Sequence, residues 1–170
     1  MARNIEIKAR IDSIEALAAT VASFADQGPF EIAQDDTFFR CEQGRLKLRV
    51  FSDTEGELIF YRRADQVGPK ESFYLRTPTA DPAGLRAALT QACGPCGRVF
   101  KQRRLYLVGR TRVHLDRVVG LGDFVELEVV LQHDEMAESG LREAQALMAR
   151  LGIEARQLVA AAYVDLLAAG

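Results

Sequence analysis

Residues 4–10 read NIEIKAR, a stretch in which polar or charged side chains alternate with apolar ones. A β-strand points successive side chains to opposite faces, so one face of this segment is ionic. The residues on that face are Asn4, Glu6, Lys8 and Arg10. The same alternation recurs in RLKLR at 45–49, RTRVHLD at 110–116 and FVELEVV at 124–130. One such strand is typical of a solvated sheet, but four indicate strands that close around a charged interior.

Eight strand-like segments run the length of the chain, between Gly-rich or polar turns and four predicted helices. The strands are expected at 4–11, 30–40, 44–51, 57–63, 70–77, 98–108, 110–118 and 123–132. Helices are expected from an Asp12 cap to about Ala25, from Asp81-Pro82 to about Ala92, and over about 135–151 and 154–168. The prediction is an α+β fold: an eight-stranded, up-and-down antiparallel β-barrel with flanking helices, because closure leaves no unpaired edge.

Composition restricts the class of protein. A chain of 170 residues with 48% hydrophobic residues favours one domain, 1–170, in which the helices at about 135–168 pack outside the barrel. The net charge of −2 gives no reason to expect nucleic acid or an anionic membrane as a partner. Three cysteines argue against a disulfide framework, and MARNIEIK is not a signal peptide. We therefore expect a cytoplasmic protein, either a monomer or a homodimer.

The ionic faces combine many cations with a few carboxylates, which suits a polyphosphate bound with a divalent metal. Arg and Lys match phosphate oxygens, and Mg²⁺ or Mn²⁺ takes carboxylates together with substrate phosphates. The candidate metal ligands are Glu6, Asp116, Glu126 and Glu128. The candidate substrate contacts are Arg10, Arg45, Lys47, Arg49, Arg63, Lys70, Lys101, Arg103, Arg110 and Arg112. Lys70 belongs to a further alternating face, with Ser72, Tyr74 and Arg76, that would close the barrel or contact a substrate head group.

These segments resemble the CYTH superfamily, the triphosphate tunnel metalloenzymes. Its hallmark is an N-terminal Glu-x-Glu-x-Lys, which stands here as Asn4-Ile5-Glu6-Ile7-Lys8. Further matches follow in the family's order: QDDTFF at 34–39, RLKLR at 45–49, ELIFYRR at 57–63, KQRR at 101–104, HLD at 114–116 and LGDFVELE at 121–128. Each match alone is weak, but together they span residues 4 to 130.

The resemblance implies a tunnel barrel that binds triphosphates with one or two Mg²⁺ or Mn²⁺ ions. Carried over by position, it implies metal ligands at Glu6, Glu126 and Glu128, with Asp116 as a further one. It implies phosphate contacts at Lys8, Arg45, Lys47, Arg49, Arg63, Lys101 and Arg103. Lys8, beside Glu6 on the ionic face, would orient the attacked phosphorus or the water, so Lys8 and Glu6 are counted as catalytic candidates.

Asn4 departs from the hallmark, because it replaces the first Glu. A neutral amide oxygen is a weaker ligand for a hard cation than a carboxylate. One metal position is therefore weakened, rebuilt by another acid, or lost.

Two other features have alternative interpretations. His114 shares a face with Asp116 and is either a proton donor to a leaving group or a neutral structural histidine. Cys93-Gly94-Pro95-Cys96 has the spacing of a redox motif, but it follows a helix and precedes a strand. Thioredoxin-like chemistry uses the opposite order, so a turn with incidental cysteines is favoured.

Three functions fit a charged tunnel. The first is a metal-dependent phosphohydrolase acting on inorganic, thiamine or nucleoside triphosphate. The second is an adenylate cyclase, in which the 3′-hydroxyl attacks the α-phosphorus and pyrophosphate leaves. The third is a non-catalytic triphosphate- or polyphosphate-binding module. Hydrolysis is favoured because it demands less of the site, and a sheet with exposed charges is the fourth, structural interpretation.

Overall fold

Eight strands form a closed antiparallel barrel, as the alternating segments predict. The computed structural model describes residues 2–170. The strands are β1 (Ala2–Arg10), β2 (Gln27–Phe39), β3 (Arg45–Ser52), β4 (Glu55–Arg63), β5 (Lys70–Thr79), β6 (Pro95–Val108), β7 (Thr111–Val118) and β8 (Gly122–Val130). The helices are α1 (Ile14–Ala22), α2 (Pro82–Cys93), α3 (Ala137–Arg150) and α4 (Tyr163–Ala169). The predicted α+β class is confirmed.

The order of the strands differs from the simple up-and-down arrangement that the sequence predicted. Around the barrel the order is β1-β5-β4-β3-β2-β6-β7-β8, and β8 pairs with β1 to close it. Thus β1 lies between β5 and β8, and β2 pairs with β6. The two connections that depart from a hairpin are those that contain α1 and α2. A connection that contains a helix is long enough to join two strands that are not neighbours in the barrel. The alternation of side chains along a strand does not reveal which strands such a connection joins.

The larger of two apolar clusters lies outside the barrel wall. Ile5, Ile7, Val113 and Leu127 are buried on the outer face of β1, β7 and β8, where α1 and α3 cover them. Gly140 lets α3 approach β1 closely, since an added Cβ would lie 2.8 Å from Ile5. The polar and charged side chains on the opposite face of these strands point into the barrel, as the alternation in the sequence predicts. Among residues 2–170, no helix is both long and apolar enough to cross a membrane.

The first helix begins one residue later than predicted. Ser13, and not Asp12, is the N-cap, and its side chain accepts a hydrogen bond from the backbone N–H of Ala16. The N–H of Ile14 is satisfied by the carboxylate of Asp123 at 3.0 Å. This distant partner helps to fix where the helix begins, and local sequence does not reveal it. At α2 the predicted Asp81 cap is confirmed.

The C-terminal segment is not the continuous helix predicted over 154–168. A 3-10 turn at Ala155–Gln157 is followed by extended chain, and α4 begins only at Tyr163. The N–H of Val159 donates to the carbonyl of Lys8 at 2.9 Å, and the carbonyl of Ala161 accepts from the Lys8 ammonium at 3.2 Å. These contacts take up backbone groups that a helix would use, so they override the helical propensity of this Ala-rich segment. We call residues 158–163 the C-terminal plug, because they lie across the end of the barrel where β1 finishes.

Candidate active site

The interior of the barrel is a cavity of about 250 Å³, lined by side chains from all eight strands and from the C-terminal plug. Cations outnumber carboxylates among the described residues that line it. The cations are Lys8, Lys47, Arg49, Arg63, Arg76, Lys101, Arg103 and Arg112. The carboxylates are Glu6, Asp36, Glu57, Glu126 and Glu128. An enclosed surface with excess positive charge attracts a polyanion, because low-dielectric walls strengthen the field.

One buried carboxylate holds two cations on the β2–β3 side of the cavity. Asp36 accepts hydrogen bonds from the Lys47 ammonium at 2.8 Å and from Arg49 at 2.8 and 2.7 Å. Burial alone would raise the pKa of Asp36, but Arg49 and Lys47 lower it below its usual range. Burial and the neighbouring Arg49 lower the pKa of Lys47 to about 7. When Lys47 is protonated, the three side chains Asp36, Lys47 and Arg49 together carry a net charge of about one positive unit.

A second carboxylate holds two further cations on β6. Asp116 accepts hydrogen bonds from Arg103 at 2.7 Å, from Lys101 at 3.1 Å and from the hydroxyl of Tyr163 at 3.0 Å. Asp116 is fully buried and is not among the residues that line the cavity. The sequence predicted Asp116 as a metal ligand; in the structure its side chain contacts the cavity cations Lys101 and Arg103 from behind the cavity lining.

Three of the remaining carboxylates, Glu6, Glu126 and Glu128, gather where β1, β7 and β8 meet. Glu6 pairs with Glu128 in the β1–β8 register, and His114 lies opposite Glu126 between β7 and β8. The Nδ1 atom of His114 is 3.7 Å from Glu126 and 3.9 Å from Glu128. Burial raises the pKa of Glu6, and Glu126 and Glu128 add to this effect against the opposing charge of Arg63. Clustered carboxylates of this kind are stabilised by a cation placed between them.

The donor atoms fit a divalent cation. One ligand atom from each of His114, Glu126 and Glu128 lies within 4.8 Å of the others. Burial, followed by the charge of Arg103, lowers the pKa of His114, so the neutral ring is favoured. The buried Nδ1 of His114 and the amide oxygen of Asn4 have no hydrogen-bond partner, and both residues line the same cavity. Carboxylates, a neutral imidazole and an amide oxygen are all known ligand types for divalent metals.

Most of the predicted site residues meet in this one cavity. The metal candidates and the catalytic candidates there are Glu6, Lys8, His114, Glu126 and Glu128. The predicted phosphate contacts there are Lys8, Lys47, Arg49, Arg63, Lys101, Arg103 and Arg112. Ser72, Tyr74 and Arg76 also line the cavity, as their alternating face suggested.

Two predicted substrate contacts lie beyond the end of the cavity. Arg10 is exposed and donates to the carbonyl of Leu121 at 2.9 Å. Arg45 pairs with Asp165 at 2.7 Å and with Asp65 at 3.1 Å. Both residues share a strand face with cavity residues, but they stand at the strand ends. Strand alternation gives the face of a residue and not its height along the barrel.

Lys70 and Arg110 are also outside the cavity lining. Lys70 is buried, and its ammonium donates to backbone carbonyls that include Ala160 of the C-terminal plug, at 3.1 Å. Arg110 precedes β7 and pairs with Glu135 at 2.5 Å and Glu143 at 2.8 Å, near or on α3. Arg110 therefore fastens a helix to the outside of the barrel, so neither residue is carried into the proposed phosphate contacts.

Three cavity features were missed by sequence reasoning. Asp36 lies in the QDDTFF segment at 34–39, and its sequence context does not reveal its contacts to Lys47 and Arg49. Glu57 lies in the ELIFYRR segment at 57–63 and lines the cavity without having been a candidate. Tyr163 could not be found from the sequence, because the site prediction rests on alternating charged residues and Tyr163 lies in an uncharged, Ala-rich segment. Only the folded structure brings it to the cavity.

The Cys-x-x-Cys segment has the order expected for a turn. Cys93 is the last residue of α2, and Cys96 lies at the start of β6. The three cysteines of the chain are free thiols. A helix that precedes the motif does not place its N-terminus at either sulfur, so the arrangement differs from that of thioredoxin-like proteins.

The closed barrel and its cation-lined interior define a protein of the triphosphate tunnel type. The chain belongs to the CYTH family, since the CYTH domain model matches residues 2–163. Adenylate cyclase CyaB of Aeromonas hydrophila is 24% identical over 170 residues, covering 94% of this chain and 85% of that protein.

Among the solved structures that share the fold are two that illustrate its range. The PH1012 protein of Pyrococcus horikoshii OT3 superposes with a TM-score of 0.85 at 22% identity, covering 96% of this chain and 98% of that one. An adenylyl cyclase candidate from Hippeastrum, reported to have a dominant triphosphatase activity, superposes with a TM-score of 0.66 at 17% identity, covering 98% of this chain and 96% of that one.

Proposed function

We propose that this protein is a divalent-metal-dependent triphosphate phosphohydrolase that acts inside the barrel. The observation that carries the proposal is the enclosed cavity whose lining holds more Lys and Arg than carboxylates. A small neutral or cationic substrate would leave this excess charge uncompensated. A triphosphate, which carries several negative charges, would compensate it, so we propose inorganic, thiamine or nucleoside triphosphate as the substrate class.

The phosphate chain would lie between two cation pairs. Lys47 and Arg49 share Asp36, and Lys101 and Arg103 share Asp116. The Asp36 group keeps one positive charge beyond its carboxylate when Lys47 is protonated, whereas Arg103 also pairs with Glu126 at 2.7 Å. Each cation is fixed before the substrate arrives. Cations held in place bind phosphate oxygens without first losing side-chain freedom, which is the main benefit of such preorganisation.

The metal would be held by Glu126, Glu128 and His114, with Glu6 beside them. A bound Mg²⁺ or Mn²⁺ would supply charge neutralisation at the phosphate oxygens and Lewis-acid polarisation of the phosphorus. Lys8 is 3.3 Å from Glu126 and next to Glu6 on the inner face of β1. Its ammonium would hold a phosphate oxygen against the acidic side of the cavity and orient the phosphorus for attack by water.

The cavity of about 250 Å³ would enclose the phosphate chain, with any organic head group at the barrel mouth. Hydrolysis requires only that the chain and a water be bound there, whereas cyclisation also requires a fixed ribose. The triphosphatase activity reported for the Hippeastrum relative agrees with this function.

Adenylate cyclase activity is the second candidate. Similarity to Adenylate cyclase CyaB over 94% of this chain supports it. A cyclase would use the same cations and carboxylates but would place the α-phosphorus, and not the terminal one, beside the metal ligands. The two reactions are separated by their products.

The test is turnover of inorganic tripolyphosphate, which has no head group and cannot be cyclised. Purified protein is assayed for orthophosphate with Mg²⁺, with Mn²⁺ and with EDTA. The proposal predicts orthophosphate release that requires the metal. Release that is unaffected by EDTA would contradict it, and so would the absence of orthophosphate release from tripolyphosphate, thiamine triphosphate and ATP assayed in parallel.

A further inference from the structure

Tyr163 of the C-terminal plug lies between two lysines of the cavity. Its ring centroid is 4.0 Å from the ammonium of Lys8 and 4.9 Å from that of Lys101. Its hydroxyl donates to Asp116 at 3.0 Å, and its ring packs edge-on against Phe124 at 4.9 Å. Tyr163 is itself buried. One side chain therefore contacts a lysine on β1, a lysine on β6 and the carboxylate that holds Lys101.

The ring can hold an ammonium group without cancelling its charge. The face of an aromatic ring attracts a cation within about 6 Å through its quadrupole, and burial strengthens this attraction. Each of these lysines already pairs with one carboxylate, Lys8 with Glu126 at 3.3 Å and Lys101 with Asp116 at 3.1 Å. The ring adds a second contact to each ammonium without adding a second negative charge.

Other groups of the plug also contact lysines without adding negative charge. The carbonyl of Ala161 accepts from Lys8, and that of Ala160 accepts from Lys70. The plug thus contacts three lysines through uncharged groups only.

We propose that Tyr163 is a positioning residue for triphosphate binding, and that its ring fixes Lys8 and Lys101 in the orientation that phosphate oxygens require. The proposal rests on the proposed function of the cavity. Tyr163 need not touch the substrate, because it acts through the two ammonium groups. The hydroxyl is secondary, since Asp116 keeps Arg103 and Lys101 as partners without it.

The experiment measures the binding of inorganic tripolyphosphate by titration calorimetry, without metal and with EDTA. Tyr163→Phe keeps the ring, so its Kd is expected to remain within about threefold of wild type. Tyr163→Leu removes the ring, so loss of two buried cation–π contacts is expected to weaken binding about tenfold. Tyr163→Met retains a long apolar side chain and replaces the Leu variant if that variant does not fold.

Leu166→Ala is the matched control. Leu166 lies on α4, in the same apolar cluster as Tyr163, and is not among the residues that line the cavity. If Tyr163 acts only as a packing residue, Leu166→Ala with a matching loss of Tm will weaken binding as much as Tyr163→Leu. That result, or wild-type affinity in both ring-deleted variants, would overturn the proposal. Failure of the wild-type protein to bind tripolyphosphate would instead overturn the proposed function before any variant is compared.

In turnover with metal present, the ring-deleted variants are expected to show a raised KM with a smaller change in kcat. The KM should change more than kcat because the two lysines contribute mainly to binding the phosphate chain. Recovery of the wild-type KM in Tyr163→Phe would confirm that the ring, and not the hydroxyl, is responsible. A KM that rises equally in the Phe and Leu variants would contradict the role of the ring.

Discussion

The affinity of the cavity for a triphosphate should fall as the pH rises, because one of its lysines loses its proton near neutrality. Lys47 lines the cavity and lies 2.8 Å from Asp36, which also accepts from the neighbouring Arg49. Burial and the charge of Arg49 lower the pKa of Lys47 to about 7, against the attraction of Asp36. Phosphate oxygens attract the ammonium form and not the neutral amine, so binding is coupled to the protonation of this residue.

The size of the effect follows from the pKa. A group with a pKa near 7 is charged in about nine of ten molecules at pH ~6 and in about one of ten at pH ~8. If only the charged form of Lys47 binds the triphosphate, the affinity falls about tenfold over that range, or about 1.4 kcal/mol. Lys47→Arg stays charged throughout this range, because the guanidinium does not lose its proton.

The assay is calorimetric titration of inorganic tripolyphosphate at several pH values between about 6 and 8, for wild type and for Lys47→Arg. The substrate itself loses protons over this range, but it does so identically for both proteins. The ratio of their dissociation constants therefore isolates Lys47. A ratio that changes about tenfold with pH supports the reasoning, whereas identical pH dependence in the two proteins would refute it.

Three further substitutions test the remaining parts of the site. Asn4→Glu replaces a buried amide oxygen that has no hydrogen-bond partner with a carboxylate. The affinity for Mn²⁺, measured by titration, should therefore rise on the order of tenfold. An unchanged Kd would show that Asn4 is not beside the metal. Arg103→Ala removes charge-assisted bonds and should raise the KM about tenfold to a hundredfold, whereas Arg104→Ala, on the outer face, should leave the KM unaltered. If both variants kept the wild-type KM, the inner face of β6 would not contact substrate. Glu126→Gln should lower Mn²⁺ affinity on the order of tenfold, whereas Glu143→Gln, outside the barrel, should not; equal effects from the two would contradict the metal assignment.

The alternation of charge along the strands predicted the character of the interior well. The inner residues of β1 and β8 are those that the period of two selects, and the register confirms that Glu6 faces Glu128 and Lys8 faces Glu126. The apolar residues between them form the outer core. Because alternation depends only on the pleat of a strand, it is readable without any tertiary information.

The same alternation failed at the ends of strands. The alternation assigns three arginines at or beside strand ends to the inner face, but their contacts lie elsewhere. Arg10 donates to Leu121, Arg45 pairs with Asp165, and Arg110 pairs with Glu143 on helix α3. A barrel interior has a finite length, and residues past its rim meet whatever covers the opening. The height of a residue along the barrel depends on the tilt and stagger of all eight strands, which no single segment encodes.

The C-terminal plug was unpredictable for a different reason. Residues 158–162 read as helix because Ala has high helical propensity, and their extended form depends on Lys8 and Lys70, which are distant in sequence. The plug brings in Tyr163, the one aromatic side chain that contacts both Lys8 and Lys101 in the described structure. Tertiary contacts therefore determined the part of the site that sequence reasoning did not foresee.

The central claim is that this cavity hydrolyses a triphosphate, and the products formed from ATP test it most directly. Protein is incubated with ATP and Mn²⁺, and the reaction is followed by ³¹P NMR, with Glu126→Gln as the control for a contaminating enzyme. At a Mn²⁺ concentration near the wild-type Kd, we expect resonances of ADP and orthophosphate that are clearly weaker in the control, whereas a contaminating enzyme would give equal signals in both. Resonances of cyclic AMP and pyrophosphate would contradict the claim and would establish the cyclase in its place.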